Sequence, residues 1–123
     1  MTGFEPARVS DTVNAALAGP AGVAAVVNVF RSVPGVVHAP ARRGMFRSAP
    51  EQVQIGDWRY EVTGDGRLKA AHVVGDIVIA DESLDAHAVG PHIARSLDQL
   101  VGRYGPAICP HIDAAVEVLS LGV

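Results

Sequence analysis

A chain of 123 residues lies in the commonest size range for one domain, and 49% hydrophobic against 19% charged residues excludes a disordered chain. The formal net charge of −3 gives no field that would draw in nucleic acid or an anionic membrane. Cys109 is the single cysteine, which excludes an intramolecular disulfide and a disulfide-stapled secreted scaffold, so a reducing, cytoplasmic setting is expected.

In chain order, Ser10 or Asp11 can cap a short helix running through Ala18, which Gly19 and Pro20 stop before a second helical piece starts. In that piece Val23, Val26, Val27 and Phe30 recur at helical spacing, and this face is expected to pack on a sheet. The longest apolar stretch, Ala21 to Phe30, is interrupted by Asn28 and is too short to span a bilayer; no basic run leads into it as in a signal peptide. From Val33 to Pro50 the composition shifts to Pro, Gly and Arg, which predicts a mobile loop without regular structure over about 33–50.

Strand patterns follow. Val53 and Ile55 alternate with polar residues, and Trp58, Tyr60 and Val62 form a second period-two stripe opposite Arg59, Glu61 and Thr63. Gly56-Asp57, Gly64 to Arg67 and Gly75-Asp76 supply turns or bulges between these segments, Leu68 to Val74 and Ile77 to Ala80. The expectation is an antiparallel meander of three or four strands.

The C-terminal third contains an internal echo. Ala88, Val89, Gly90, Pro91, His92 and Ile93 recur nineteen residues later as Ala107, Ile108, Cys109, Pro110, His111 and Ile112, and in each copy aliphatic residues follow at helical spacing. With proline at a first helical turn, the pattern predicts two helices, near Pro91–Tyr104 and Pro110–Ser120, separated by Gly105 and Pro106. Two amphipathic helices solving one packing problem account for the echo, since two copies do not make a solenoid.

Each residue that could carry chemistry also has a packing role to which it is suited. His92 and His111 at helix starts would stay neutral, as a metal ligand must, and with Cys109 they form a drawable zinc set, yet their spacing matches no zinc signature. A thiol at a helix start has a lowered pKa, so Cys109 could be reactive, although an isolated cysteine is more often a small buried hydrophobe. Arg42, Arg43 and Arg47 around Met45 and Phe46 combine positive charge with apolar groups, suited to docking a protein partner. Phe30, Trp58 and Tyr60 could line a pocket for a small apolar ligand or simply fill the core. Asp81, Glu82 and Asp85 read as capping acids, no phosphate loop is present, and His38 and His72 carry weaker claims.

Nine arginines to one lysine, with abundant Ala, Val and Gly, give a composition that resembles the small uncharacterised conserved proteins of high-GC actinobacteria. That resemblance implies no functional residue. The combined reading is a single α+β domain over residues 1–123, with N-terminal helices, an antiparallel meander and a C-terminal helical pair on one sheet face. Function is expected to be non-enzymatic, a small binding or interaction domain acting as a homodimer without cofactor, with a possible protein partner at the 41–47 loop. The alternatives are a metal- or thiol-dependent enzyme or sensor using Cys109 with His92 and His111, and an apolar-ligand carrier.

Overall fold

The computed structural model describes residues 4–19, 22–44 and 48–121. Two helices come first, α1 (Pro6–Ala18) and α2 (Val23–Val29), the second running into a 3₁₀ turn at Phe30–Ser32. The strands are β1 (Val37–Ala39), β2 (Arg42–Arg43), β3 (Ser48–Ala49), β4 (Gln52–Ile55), β5 (Trp58–Val62), β6 (Leu68–Val74) and β7 (Ile77–Leu84). A long helix, α3 (Ala86–Tyr104), a 3₁₀ turn at Pro106–Ile108 and α4 (Cys109–Ser120) complete the chain. Strands β1, β4, β5, β6 and β7 lie side by side in that order, all antiparallel, and β2 and β3 form a separate two-stranded ladder.

The period-two alternation of the sequence sorts the two faces of the sheet. Val53, Ile55, Tyr60, Leu68, Ala70 and Leu84 are buried towards the helices. Val53 opposes Tyr60, and Tyr60 opposes Ala70, so one side-chain row crosses three strands. The other face carries Gln52, Gln54, Arg59, Glu61 and Lys69; Gln52 Nε2 donates to Glu61 at 3.0 Å, and Lys69 approaches the same carboxylate at 3.4 Å. The helices close the first face with Val9 and Val13, Val26 and Val27, Ile93, Leu97 and Leu100, and Ile112, Val116 and Leu119. Among the described residues no helix is long and apolar enough to cross a membrane.

Three expectations are corrected in detail. The first helix starts at Pro6, not at Ser10 or Asp11: proline occupies its first turn, where a missing N–H costs least. Five strands form where three or four were expected, because Val37–Ala39, inside the segment read as irregular, pairs with β4. The anchor is Glu51, whose carboxylate accepts from Asn28 Nδ2 at 2.8 Å and lies 3.0 Å from His38 Nε2. His38 first and Asn28 second hold the Glu51 carboxyl below its ordinary pKa.

The third correction concerns Pro91, which lies inside α3 instead of at its start; the helix begins five residues earlier after Asp85. An interior proline leaves the carbonyl four residues back without its N–H partner, and that carbonyl belongs to His87. Asn14, on α1, supplies the replacement: its Nδ2 donates to the His87 carbonyl at 3.3 Å, and its Oδ1 accepts the Gly90 N–H at 3.1 Å. The two helices can approach this closely because residue 90 has no side chain; a Cβ there would overlap the Ser10 carbonyl oxygen and the Asn14 amide.

Two outcomes follow for this crossing. Gly90→Ala should destabilise the fold by about 1–3 kcal/mol, the range for overpacking a tight contact. Asn14→Ala should cost about 1–3 kcal/mol by orphaning α3 backbone groups, and distinctly less in a Pro91→Ala background, where residue 91 can again donate to the His87 carbonyl. Urea denaturation of the four chains of this cycle measures the coupling; equal losses in both backgrounds would mean that Asn14 does not compensate for the proline.

Candidate functional site

Where α3 crosses β5, a polar network lies within the apolar core. Tyr60 and Ser96 are 0% and 1% exposed and His92 is 7% exposed, so each must find partners inside the protein. Tyr60 Oη lies 2.7 Å from His92 Nδ1 and 2.5 Å from Ser96 Oγ. Ser96 Oγ is also 3.2 Å from the His92 carbonyl oxygen, one helical turn back. His92 Nε2 faces Glu82 of β7, with Oε1 at 3.7 Å. Among the described residues no fully buried side-chain nitrogen or oxygen lacks a partner.

One set of proton positions satisfies the whole chain: Ser96 O–H donates to Tyr60 Oη, Tyr60 O–H donates to His92 Nδ1, and Nε2–H points at the Glu82 carboxylate. Aromatic packing fixes the imidazole further. Trp58 meets His92 edge-on at 4.5 Å between centroids and stacks on His72 at 4.8 Å. Burial, followed by the Arg95 charge, pushes the His92 pKa below its ordinary value, and Glu82 opposes that shift. Burial also raises the Tyr60 pKa, so the phenol is neutral at any physiological pH.

The order Ser–Tyr–His–Glu looks like a nucleophile relay, but its hydroxyl end is sealed. Ser96 is buried and both of its partners are protein groups, so no substrate carbonyl can reach it. Only the other end approaches the surface, beside an open hollow of about 210 Å³ lined by Trp58, Ala80, Asp81 and Glu82.

The hollow adjoins the least covered element of the fold. Among the described residues β7 is an edge strand bonded only to β6, and every residue from Ile77 to Ser83 is exposed. Ile77, Val78 and Ile79 are 67%, 46% and 58% exposed, with Val74 at 52% across the turn. That turn is Gly75-Asp76, with φ of 56° and 68°; this left-handed pair suits a two-residue hairpin whose strands keep their twist. A bulge opposite His72 and Val73 bends the strand there. The result is an aliphatic half followed by an acidic half at Asp81 and Glu82, bordering a row of backbone groups with no strand partner among the described residues.

The residues singled out from the sequence separate in space. Phe30 and Tyr60 are packed in the core at 0% exposure, and Trp58 is half-buried at the rim of the hollow. His92 lies in the second turn of α3, so burial, not a helix N-terminus, keeps it neutral. Cys109 is buried at the start of α4, and His111 is exposed on the same helix. Among the described residues no three His, Cys, Asp or Glu side chains are placed to share a metal ion. The echo is a packing pattern: Ile93 and Ile112, Leu97 and Val116, and Leu100 and Leu119 are all buried. Met45, Phe46 and Arg47 lie outside the described residues, and Arg42 and Arg43 are placed by their backbone pairing with Ala49 and Ser48. Ser96 escaped the sequence reading, although its i+4 spacing from His92 puts both on one helix face.

Two solution results are expected. Tyr60→Phe should cost about 1–3 kcal/mol in urea denaturation, because it strips the buried His92 Nδ1 of a partner. His92 binds its proton less readily folded than unfolded, so between the two pKa values the unfolded chain holds more protons and stability falls as pH drops through that window. The stability lost between about pH 7.5 and about pH 5.5 should therefore be larger in the parent than in His92→Gln.

A family model described as Domain of unknown function (DUF5073) matches residues 1–121, and the chain belongs to that family. Comparison with curated proteins gives no match, and comparison with solved structures gives none.

Proposed function

We propose that this DUF5073 chain is a non-enzymatic interaction domain that works as a homodimer, joined along β7 to a second copy of itself. The observation that carries the reading is the exposure of Ile77, Val78 and Ile79 on a strand whose outer edge pairs with no other strand among the described residues. An edge of this kind is a template for another strand, and soluble proteins usually cover, shorten or charge it. Here the charge sits only on the C-terminal half, at Asp81 and Glu82, and the aliphatic half is left open. Antiparallel pairing with a second β7 would bury both aliphatic halves and continue the sheet through the dimer, the commonest closed symmetry for a chain of one kind.

The sealed serine supports a binding role over a hydrolytic one. The basic segment of Arg42, Arg43, Met45, Phe46 and Arg47 stays in the proposal as the site for a further protein partner, on its sequence alone. The reducing, cytoplasmic setting rests on the single cysteine.

Sedimentation velocity or native mass spectrometry should find a dimer at micromolar concentration. Val78→Lys and Ile79→Lys should give folded monomers whose melting temperature, unlike the parent's, does not depend on protein concentration. Leu121→Lys, at an equally exposed aliphatic position beyond α4, should leave the dimer intact. A monomeric parent, or a dimer indifferent to lysine at 78 and 79, would refute the β7 interface.

A further inference from the structure

His92 Nε2 is the open end of the buried network. The side chain is only 9% exposed, and Nδ1 is paired with Tyr60, but Nε2 stands 3.7 Å from Glu82 Oε1, too far for a hydrogen bond. Every fully buried side-chain nitrogen and oxygen among the described residues has a partner, so Nε2 is not sealed. A polar gap of this width suits a bridging group.

The sheet register puts the walls of the hollow on the same side as this nitrogen. Trp58 opposes His72 and His72 opposes Ala80, while Glu82 opposes Ala70, which is buried towards the helices. Directly opposed residues share a face, so the Glu82 side chain leaves β7 on the His92 side. At about 210 Å³ the hollow falls below the roughly 300 Å³ of a drug-sized site and suits one functional group on a short stem. Trp58 and Ala80 offer that stem apolar contact, and Asp81 and Glu82 offer the group negative charge. Among the described residues neither carboxylate is paired with arginine or lysine.

The network has a second complete donor order. His92 Nδ1–H donates to Tyr60 Oη, Tyr60 O–H to Ser96 Oγ at 2.5 Å, and Ser96 O–H to the His92 carbonyl at 3.2 Å, with every heavy atom in place. This order turns an Nε2 lone pair towards the Glu82 carboxylate. Two acceptors that close repel unless a donor stands between them, and 3.7 Å is short enough for one nitrogen to donate to both. Such a nitrogen needs at least two N–H bonds and, beside two carboxylates, a positive charge. A primary ammonium has both, and burial keeps the imidazole neutral and able to accept.

We propose that the hollow is a site for a primary ammonium group on a short apolar stem, held between Glu82 and His92 Nε2, and that its arrival reverses the proton order of the His92–Tyr60–Ser96 chain. The site lies within one chain. Antiparallel pairing of two β7 strands through their aliphatic halves sends the acidic ends to opposite ends of the ladder, so the proposal does not rest on the dimer.

The test follows the ring-nitrogen NMR resonances of His92 during titration with n-butylammonium at about pH 8, where imidazole is neutral and the amine is charged. Nδ1 and Nε2 should exchange protonated and unprotonated character, with saturation at concentrations on the order of millimolar. Glu82→Gln, at an exposed position, should weaken binding by about tenfold or more, the loss of one charge-assisted hydrogen bond. n-Butanol, which lacks the charge, and tetramethylammonium, which lacks the N–H groups, should leave the proton order unchanged. An Nα-acetyl lysine amide that binds tighter than butylammonium assigns the site to a lysine of a protein partner; the opposite ranking assigns it to a free amine. No saturable response to either amine, an equal response to tetramethylammonium, or undiminished binding in Glu82→Gln overturns the site. Saturable binding without exchange of the ring nitrogens overturns the proton reversal. Sedimentation reads the dimer separately.

Discussion

The architecture depends on one contact between helices far apart in the sequence. Asn14 donates to the His87 carbonyl that Pro91 leaves without its helical donor and accepts the Gly90 N–H beside it, and the glycine at 90 lets the backbones come near enough for the exchange. Without it the His87 carbonyl, one turn ahead of Pro91, would have no donor in place of the proline's missing N–H. The first turn and a half would be weakened, and with it the connection that follows directly from Leu84 at the end of β7 through Asp85 into the helix. With the contact in place, Ile93, Leu97 and Leu100 come down on the sheet, and His92 and Ser96, on the same stretch of helix, meet Tyr60. The polar network is thus held by a helix whose own regularity is maintained from outside.

Much of the meander was legible because its signals are local. Alternation over Gln52–Ile55 and Trp58–Val62 fixes which residues face the helices, and glycine-bearing pairs at 56–57 and 75–76 mark the hairpins. The start of α3 was not legible, since Pro91 read alone is a helix start and its compensation lies seventy-six residues away from Gly90. β1 was hidden for a related reason: three residues in a Pro- and Arg-rich stretch carry no periodicity, and what recruits them is Glu51 reaching His38 and Asn28. Ile77 to Ala80 announces a strand through its β-branched residues, but a run of this kind ordinarily means burial on both faces. Its place at the end of the sheet, where both faces are open, depends on strand order, which the pattern does not encode.

The candidate site was visible in pieces. His92, Tyr60 and Trp58 each drew attention, the first as a possible metal ligand and the others as pocket aromatics, and the fold brings these three together for a different purpose. His111 and Cys109, their partners in the sequence pattern, go elsewhere. Two helices that repeat the order Pro-His-Ile place isoleucine in the core in both copies but bury only one histidine. The repeated letters record apolar spacing, and the chemistry of the single buried imidazole comes from the strand lying beneath it.

The Asn14 contact also bears on the order in which the protein comes into being. α1 leaves the ribosome well before the residues it is built to clasp have been translated. Until they appear, Val9 and Val13 have nothing like their final surroundings, and an isolated helix of thirteen residues has little stability of its own in water. The hairpins from β4 to β7, whose pairings are all close in sequence, can zip up in the meantime. α1 is therefore among the last of these elements to settle, although it is made before them, and a nascent chain stalled before α3 is complete would expose the apolar side of α1 to whatever the cell supplies in its place.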